Sequence, residues 1–327
     1  KNILEVLRDS SKLLPDVRKY LEEENAFTEH YLKGTKDIQK KLFDEIKRRI
    51  KLDDESLPYK DKDYEYWTKT TSKGNYSIKL RKKIGSKKIE EIWNGDNEKE
   101  KLKTEYFGVG DLEVSYNDKY LGYSLDLKGS EYYTIYLRNL ETNKNYKDLI
   151  NNTSGSIVWS LDSKSFFYSK LDEFHRPRKI YKHTIGSSTK EDELVFEEKD
   201  ETFTCGIGLT SDEKYFIIST SDHITTEEYF FSTDAIDIKP KLFLKRQKDI
   251  RYSIDSWKGH FYVHTNENAR DYKILRCKKD NIEKLEEFIS PKKETVIGGL
   301  DFLDDYIIRA EKSDAIAKLY VRNINTN

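Results

Sequence analysis

The stretch that decides the fold is Gly155-Ser-Ile-Val-Trp-Ser-Leu-Asp-Ser-Lys-Ser-Phe-Phe-Tyr-Ser169. Two short runs rich in β-branched and aromatic residues, joined by a tight polar turn, predict a pair of antiparallel strands. Related segments begin near residues 110, 205, 252 and 298, so the unit returns at intervals of 45, 50, 47 and 46 residues. A four-stranded propeller blade typically takes about 40 to 50 residues. The repeat therefore predicts consecutive blades.

The predicted fold class is all-β: a β-propeller of four-stranded antiparallel blades, about six of which are present. Five units follow the repeat, and residues 59–93 supply a degenerate sixth. The sequence ends soon after the third strand of its last unit, Leu319-Tyr-Val-Arg322, so we expect a ring that is not closed. A closed six-bladed ring would need borrowed strands.

Two amphipathic helices are predicted before the strands. The first runs from Pro15 to about Leu32, because apolar side chains recur there near the helical period and proline suits a first turn. We expect Gly34 to end it and Thr35 to cap the second helix. Pro58 follows a polar cluster and ends the helical region. The predicted domains are a helical extension, 1–56, and a propeller, 57–327.

Composition excludes several classes of function. Lysine and arginine number 59 against 60 acidic residues, so a field that binds nucleic acid is not expected. No run approaches the roughly 20 apolar residues that span a bilayer, so no membrane association is predicted. We expect a cytoplasmic location. The two cysteines, Cys205 and Cys277, are expected to be reduced structural thiols rather than a disulfide or zinc site.

No complete catalytic or metal site is predicted. The sequence lacks the Gly-x-Ser-x-Gly nucleophile elbow, the HExxH zinc motif and the phosphate-binding glycine motifs. His260 and His264 are four residues apart, which on a strand is roughly 13 Å and too far to chelate one ion. We therefore predict no catalytic residues, no metal and no cofactor.

Several segments resemble one family of peptidases in a consistent order. The best of them are Tyr20-Leu-Glu-Glu-Glu-Asn-Ala-Phe-Thr-Glu29, Asn152-Thr-Ser-Gly-Ser-Ile-Val-Trp159 and Leu171-Asp-Glu-Phe-His-Arg-Pro-Arg178. Others are Leu42-Phe-Asp-Glu-Ile-Lys-Arg-Arg-Ile-Lys51, Asp53-Asp-Glu-Ser-Leu-Pro-Tyr59, Gly129-Ser-Glu-Tyr-Tyr-Thr134 and Thr265-Asn-Glu-Asn-Ala-Arg-Asp-Tyr-Lys-Ile274. Together they resemble the N-terminal part of oligopeptidase B, a branch of the prolyl oligopeptidase family of serine peptidases.

The resemblance, which extends from about residue 4 to 322, implies a function that no single motif shows. In that family a seven-bladed propeller covers the active site of a C-terminal α/β-hydrolase domain, the N-terminal helices pack on that domain, and short peptides are cut after Arg or Lys. This sequence lacks the seventh blade and the hydrolase domain. Because it starts at Lys1 and contains no methionine, we expect it to begin inside a longer polypeptide.

The resemblance also implies a contact surface for the hydrolase domain and for short basic peptides. Candidate residues fall between the second and third strands of the predicted blades: Glu131, Glu173, Arg176, Arg178, His223, Asn266 and Arg270, with His175, Asn268 and Asp314 beside them. Loops in that position emerge on one face of a propeller. The simpler interpretation is that these charges pair with neighbouring loops or with water.

Two other functions stay open at this point. The chain could be a stand-alone interaction scaffold from a truncated or split gene. It could also be a propeller glycosidase, although no spacing selects the pair of carboxylates that such an enzyme needs. Reading the coding sequence beyond Asn327 would distinguish a peptidase from a scaffold.

Overall fold

The structure is a computed structural model, and it describes residues 10–326. The chain divides into two compact units, the first ending at Asp96 and the second beginning at Asn97. The division into domains 1–56 and 57–327 stays a prediction. No helix in the described part of the chain has the length and apolar content needed to cross a membrane.

The first unit opens with the two predicted helices, α1 (Pro15–Leu32) and α2 (Lys36–Arg49). Short 3-10 turns lie before them at Ser10–Lys12 and between them at Lys33–Thr35. Thr35 occupies the N-cap position of α2, but its hydroxyl accepts no backbone N–H and instead donates to the Leu32 carbonyl at 2.8 Å. The predicted cap is therefore wrong in its chemistry, because the hydroxyl is directed back into the preceding turn.

The first unit also contains one sheet, called blade 1 here. Its strands are β1 (Asp54–Glu55), β2 (Tyr59–Asp61), β3 (Tyr64–Thr70), β4 (Ile78–Lys83) and β5 (Ile89–Asn94). Both β1 and β2 pair with β3, and the order continues through β4 to β5. The buried side chains include Trp67 and Trp93, which gives this sheet an aromatic core. Helix α3 (Gly95–Leu102) follows.

The second unit contains five further groups of antiparallel strands, which we call blades 2 to 6. Blade 2 comprises β6 (Gly108–Val114), β7 (Tyr120–Asp126), β8 (Tyr133–Asn139) and a divided fourth strand, β9 (Lys144–Asn145) with β10 (Ile150–Thr153). Blade 3 comprises β11 (Val158–Trp159), β12 (Ser165–Leu171), β13 (Pro177–Thr184) and β14 (Glu193–Glu197), with a 3-10 turn at Thr189–Glu191. Strand β10 pairs with both β8 and β12, which joins these two blades into one nine-stranded sheet.

The remaining blades repeat the same order. Blade 4 comprises β15 (Thr204–Leu209), β16 (Tyr215–Ser221), β17 (Thr226–Ser232) and β18 (Lys241–Leu244). Blade 5 comprises β19 (Tyr252–Trp257), β20 (His260–Thr265), β21 (Lys273–Lys278) and β22 (Glu286–Ile289). Blade 6 has three strands among the described residues, β23 (Thr295–Phe302), β24 (Tyr306–Ser313) and β25 (Ile316–Asn323). The predicted succession of antiparallel blades after two helices is confirmed.

A repeated hydrogen-bond pattern shapes the turn between the first and second strands of a blade. In blade 3 the Ser160 hydroxyl donates to the Asp162 carboxylate at 2.7 Å and accepts the Ser165 N–H at 3.1 Å. The same carboxylate accepts the Lys164 N–H at 3.0 Å, and Ser163 takes a positive φ of 60°. Local side-chain bonds of this kind compete with strand pairing and so fix where the chain reverses.

Blades 2 and 4 carry the same turn at equivalent positions. The corresponding triplets are Ser115, Asn117, Asp118 and Thr210, Asp212, Glu213. In both, the hydroxyl donates to the Asn or Asp side chain, at 2.8 and 2.9 Å respectively. This turn accounts for the polar part of the sequence repeat in blades 2, 3 and 4.

Aromatic side chains fill the space between neighbouring blades. Phe167 of blade 3 lies 4.6 Å from Phe216 and 5.8 Å from Phe231 of blade 4, measured between ring centroids. Between blades 4 and 5, the Phe261 ring is 5.1 Å from that of Phe230 and 5.3 Å from that of Phe243. Tilted ring contacts at these separations add to the free energy of burial.

Removing one of these rings should destabilise the protein strongly. Phe216 is only 2% exposed, so Phe216→Ala should lower the free energy of unfolding by roughly 3–5 kcal/mol through lost burial and a residual cavity. Ile236 is 100% exposed, so Ile236→Ala is the control and should change it by less than about 0.5 kcal/mol. Urea denaturation measures both, and equal midpoints would contradict the packing argument.

Candidate functional site

Five loops of the second unit form the candidate site, and we call them the loop face. They join the second and third strands of blades 2 to 6 and comprise residues 127–132, 172–176, 222–225, 266–272 and 314–315. Because strands alternate in direction within an antiparallel blade, these loops leave at the same end as the connections between successive blades. Loops held by a rigid scaffold are the usual place for binding residues.

Asp172 organises the loop that carries the predicted arginines. One carboxylate oxygen accepts the backbone N–H groups of Phe174 and Arg176, at 2.9 and 3.0 Å. The other accepts the Arg178 guanidinium Nε–H at 2.9 Å. Burial opposes the charged form, but the Arg176 N–H and the Arg178 guanidinium outweigh it, and the pKa of Asp172 is lowered. The loop is therefore built around a carboxylate that stays charged.

The same device occurs where β7 and β16 end. Asp126 accepts the backbone N–H groups of Lys128 and Glu131, at 2.9 and 2.7 Å. Asp222 accepts those of Ile224 and Thr225, at 2.8 and 2.6 Å. Sequence reasoning missed these three aspartates. The sequence did contain a signal for Asp126, Asp172 and Asp222, because each aspartate comes at the end of the apolar run that forms the second strand of its blade.

Arg178 does not lie in the loop, which corrects the position predicted for it. It is the second residue of β13, where it is half-buried and paired with Asp172. The strand begins at Pro177, earlier than the apolar pattern indicated, because β12 pairs with β13 across a register shift after Lys170. Arg176 does lie in the loop, is exposed, and donates to the Glu201 carbonyl of the connection to blade 4.

The structure brings together only some of the predicted side chains. The loops of blades 2 and 3 touch, since Nε2 of His175 donates to the Ser130 carbonyl at 3.1 Å and the Tyr132 ring lies 4.5 Å from the imidazole. Asn266 contacts the connection between blades 4 and 5, where its side-chain oxygen accepts the Arg251 N–H at 2.7 Å.

Four exposed side chains make no hydrogen bond or ion pair within residues 10–326: Glu131, Glu173, His223 and Arg270. Asn268 and Asp314 take positive φ angles of 51° in their turns.

An arginine clamp that the sequence did not reveal joins blades 3 and 4 beside the loop face. The Arg246 guanidinium donates to Glu227 at 2.8 and 3.0 Å and to Glu198 at 2.6 Å. It also stacks over the Phe203 ring at 4.0 Å. Burial disfavours the charge on Glu227, but the Arg246 contacts outweigh this and lower the pKa of Glu227. The clamp holds adjacent blades at a fixed spacing.

The next residue along the strand has the opposite electrostatic environment. Glu228 is 3% exposed, and its carboxyl group bonds only to the Ser219 hydroxyl, at 2.7 Å. Burial raises its pKa to about 8, with the Ser219 bond acting weakly the other way. Glu228 is therefore a neutral carboxylic acid at pH 7, next to a charged Glu227.

Neither of the two cysteines is suited to nucleophilic catalysis. Burial raises the pKa of the Cys205 thiol to about 12 and that of Cys277 to about 11, so neither is a ready nucleophile. His183 is buried and bonded through Nδ1 to Asp192 at 2.7 Å. Among residues 10–326 no group of three His, Cys, Asp or Glu side chains is placed to hold a metal ion.

Comparison with known proteins identifies what the chain resembles. The sequence profile of the family described as "Prolyl oligopeptidase, N-terminal beta-propeller domain" matches residues 5–327. Dipeptidyl aminopeptidase BI of Pseudoxanthomonas mexicana is 29% identical and covers 96% of this chain and 46% of the relative. Protease 2 of Moraxella lacunata is 25% identical, and the alignment covers 94% of this chain and 45% of that relative.

Solved structures share the fold. Oligopeptidase B from Leishmania major superposes with a TM-score of 0.89 at 20% identity, over 97% of this chain and 46% of that one. Oligopeptidase B from Trypanosoma brucei, with covalently bound antipain, superposes with a TM-score of 0.86 at 22% identity, over 99% of this chain and 46% of that one. The chain thus spans about half the length of these proteins.

Glu228 should make stability fall with rising pH. The unfolded chain releases this proton near the ordinary glutamate pKa of about 4.3, whereas the folded chain holds it to about 8. The folded state binds the extra proton across that interval, so the stabilisation is complete below pH 4 and is lost as pH rises through 8. Glu228→Gln should remove this fall and raise the urea midpoint at pH 8.

Glu227→Gln is the matched control for that variant. Because the pKa of Glu227 is lowered, its carboxylate stabilises the folded state above a pH of about 4.3, and this stabilisation is lost at lower pH. Replacing Glu227 by Gln should therefore reduce the urea midpoint at neutral pH. Urea titrations at pH 5.5, 7 and 8.5 compare the two variants with the parent. A parental pH slope in Glu228→Gln would show that the buried acid is ionised.

Proposed function

The chain belongs to the prolyl oligopeptidase N-terminal β-propeller family, and we propose that it is the non-catalytic, substrate-gating region of a serine oligopeptidase. Its partner in this proposal is a C-terminal α/β-hydrolase domain, in the same polypeptide or as a separate chain, that cuts short peptides after Arg or Lys. The propeller admits short peptides and excludes folded proteins.

The observation that supports a partner domain is the exposed apolar surface of the two helices. No described residue of α1 or α2 is buried. Phe27 and Tyr31 are 65% and 75% exposed, and Phe43 and Ile46 are 62% and 60% exposed. Contiguous apolar surface of this kind marks a protein contact. The helical extension is therefore assigned to packing against the hydrolase domain.

The loop face supports the contact with substrate. Glu131 and Glu173 expose carboxylates that no described cation neutralises, and they occupy the loops that touch each other in blades 2 and 3. Exposed acids next to a peptide path would attract a peptide that carries Arg or Lys. Arg176 and Arg178 could hold a carboxylate of the peptide or the hydrolase domain.

The two cysteines agree with a reducing compartment. Cys205 and Cys277 are free and buried in different blades. We place the protein in the cytoplasm on this basis.

The isolated chain should not hydrolyse peptides. Nucleophile, base and oxyanion donors are all unaccounted for among its described residues, so Arg-containing and Lys-containing fluorogenic reporters should remain intact. The positive control is the same assay with the hydrolase domain present. Turnover that survives purification and changes with point mutations in this chain would contradict the proposal.

In the two-domain protein, Arg176→Ala should reduce kcat/KM for a dibasic peptide much more than it reduces stability. Arg176 is exposed, so its loss should cost less than about 0.5 kcal/mol of folding free energy, whereas a desolvated charged contact is worth roughly 2–5 kcal/mol. Arg178→Ala should lower kcat/KM too, with an added stability loss of about 1 kcal/mol from the half-buried Asp172 pair.

Lys190→Ala is the matched control for both arginine variants. Lys190 is exposed in the same blade, in the connection between its third and fourth strands at the opposite end. It should leave kcat/KM and the denaturation midpoint unchanged. An unchanged kcat/KM in both arginine variants would make them ordinary surface charges, and a collapsed midpoint would make them structural.

A further inference from the structure

A cavity of about 350 Å³ lies at the first strands of blades 4, 5 and 6, apart from the loop face. In a propeller the blades surround a central channel. The residues that line the cavity come from β15, β16, β19, β20, β21 and β23: Gly208, Leu209, Ile217, Ser219, Ser253, Ile254, Asp255, Tyr262, His264, Ile274, Gly299, Leu300 and Phe302. Three consecutive blades thus contribute to one enclosure.

Glycine keeps this cavity open. A Cβ atom built on Gly208 or on Gly299 would meet no heavy atom within 4 Å. Neither residue has a positive φ, so backbone conformation does not require glycine at either position. The missing side chains instead leave room at the wall, on two strands of different blades.

The charge of the wall has one sign. Although the sequence contains 59 Lys and Arg residues, none of them lines this cavity among the residues that the structure describes. Asp255 lines it, with its carboxylate held by the Ser211 backbone N–H at 2.7 Å. Ser219 also lines it, and its hydroxyl donates at 2.7 Å to the buried carboxyl group of Glu228, its partner across β16 and β17.

His264 adds an acceptor rather than a positive charge. Its Nε2 lies 2.8 Å from the Ile297 carbonyl, which can only accept, so Nε2 carries the proton and Nδ1 is left with a lone pair. Burial lowers the pKa of His264, against a weaker effect of the Ile297 bond. The imidazole is therefore neutral near pH 7 and does not repel a cation.

The rest of the wall is apolar. Ile217, Ile254 and Leu300 provide aliphatic surface, and Tyr262 and Phe302 provide aromatic surface. A ligand that matches both parts has an aliphatic stem and a cationic end, which describes a lysine or arginine side chain. A negatively charged group would meet Asp255 with no cation to offset it.

We propose that this cavity is a subsite for a basic side chain of a bound peptide, with the stem against Ile217 and Ile254 and the cation directed towards Ser219, Asp255 and Glu228. The inference rests on the proposed function, since it names a second place where a basic peptide is recognised. A cation bound here favours release of the Glu228 proton to solvent, because Ser219 is the bonding partner of its carboxyl group and a nearby positive charge stabilises the carboxylate.

The test is isothermal titration calorimetry of the 327-residue chain with two blocked tripeptides, acetyl-Ala-Lys-Ala-amide and its norleucine counterpart. The two probes share the four-carbon stem and differ in the amine. The lysine probe should bind at least tenfold more tightly. Gly208→Val, which fills the cavity, and Glu228→Gln, which removes the acid, should each weaken binding of the lysine probe at least tenfold.

Gly206→Val is the matched control for the cavity-filling variant. Gly206 lies two residues away on β15 and does not line the cavity, and a Cβ atom built on it would likewise meet no heavy atom within 4 Å. The affinity of this variant for the lysine probe should equal that of the parent. Urea midpoints of all three variants establish that each is folded before it is titrated.

Three results would overturn the proposal. These are no binding of the lysine probe by the parent chain, equal affinity for lysine and norleucine probes, and equal loss of affinity in Gly206→Val and Gly208→Val. The titration needs no peptidase activity, so its failure removes the subsite alone. Failure of the proposed function appears separately, as peptide turnover by the purified chain that changes with point mutations in it.

Discussion

Blades 3, 4 and 5 each have two apolar faces that they cannot cover by themselves, and the second unit depends on covering these faces with neighbouring blades. Phe167, Phe216 and Phe231 fill one such interface, with ring centroids 4.6 to 5.8 Å apart. Polar links fix the register between first strands, where Asp111 accepts the Ile157 N–H and the Trp159 indole donates to the Glu113 carbonyl, both at 3.0 Å. Because the faces are used for stability, recognition is left to the strand ends, the helices and the edges of the first strands.

Buried charges in this fold are consistent with a scaffold that resists relative movement of its blades. Arg246 reaches across 48 residues of sequence to Glu198, and Arg138 reaches across 40 residues to Glu98 at 2.9 Å. A half-satisfied buried charge is costly, so each guanidinium is surrounded by several acceptors or an aromatic ring. The Arg246 clamp holds blades 3 and 4 together beside the loop face, where Glu131 and Glu173 have no described partner.

The repeat was predictable because its cause is local. The Ser160 and Asp162 turn lies within six consecutive residues and recurs in blades 2 and 4, and the apolar runs on both sides of the turn region recur in all five units, so periodicity alone located the blades. Position within a blade was less predictable: Arg178 follows a proline in a run with weak alternation, and only the pairing of its neighbours Pro177 and Lys179 with β12 puts it on a strand. The Arg246 clamp and the cavity were out of reach, because their members come together from separate blades.

Glu227 and Glu228 show how strand geometry separates structure from recognition. Adjacent residues on a strand point to opposite faces. On β17 the Glu227 carboxylate therefore meets Arg246 and the edge of blade 3, while the Glu228 carboxyl group meets Ser219, which lines the cavity shared with blades 5 and 6. Glu227 is a carboxylate paired with a cation of its own chain, and Glu228 is a neutral acid that no described cation contacts. A cation from another molecule can ionise and pair only with Glu228, so the side of the strand decides which acid is available to a ligand.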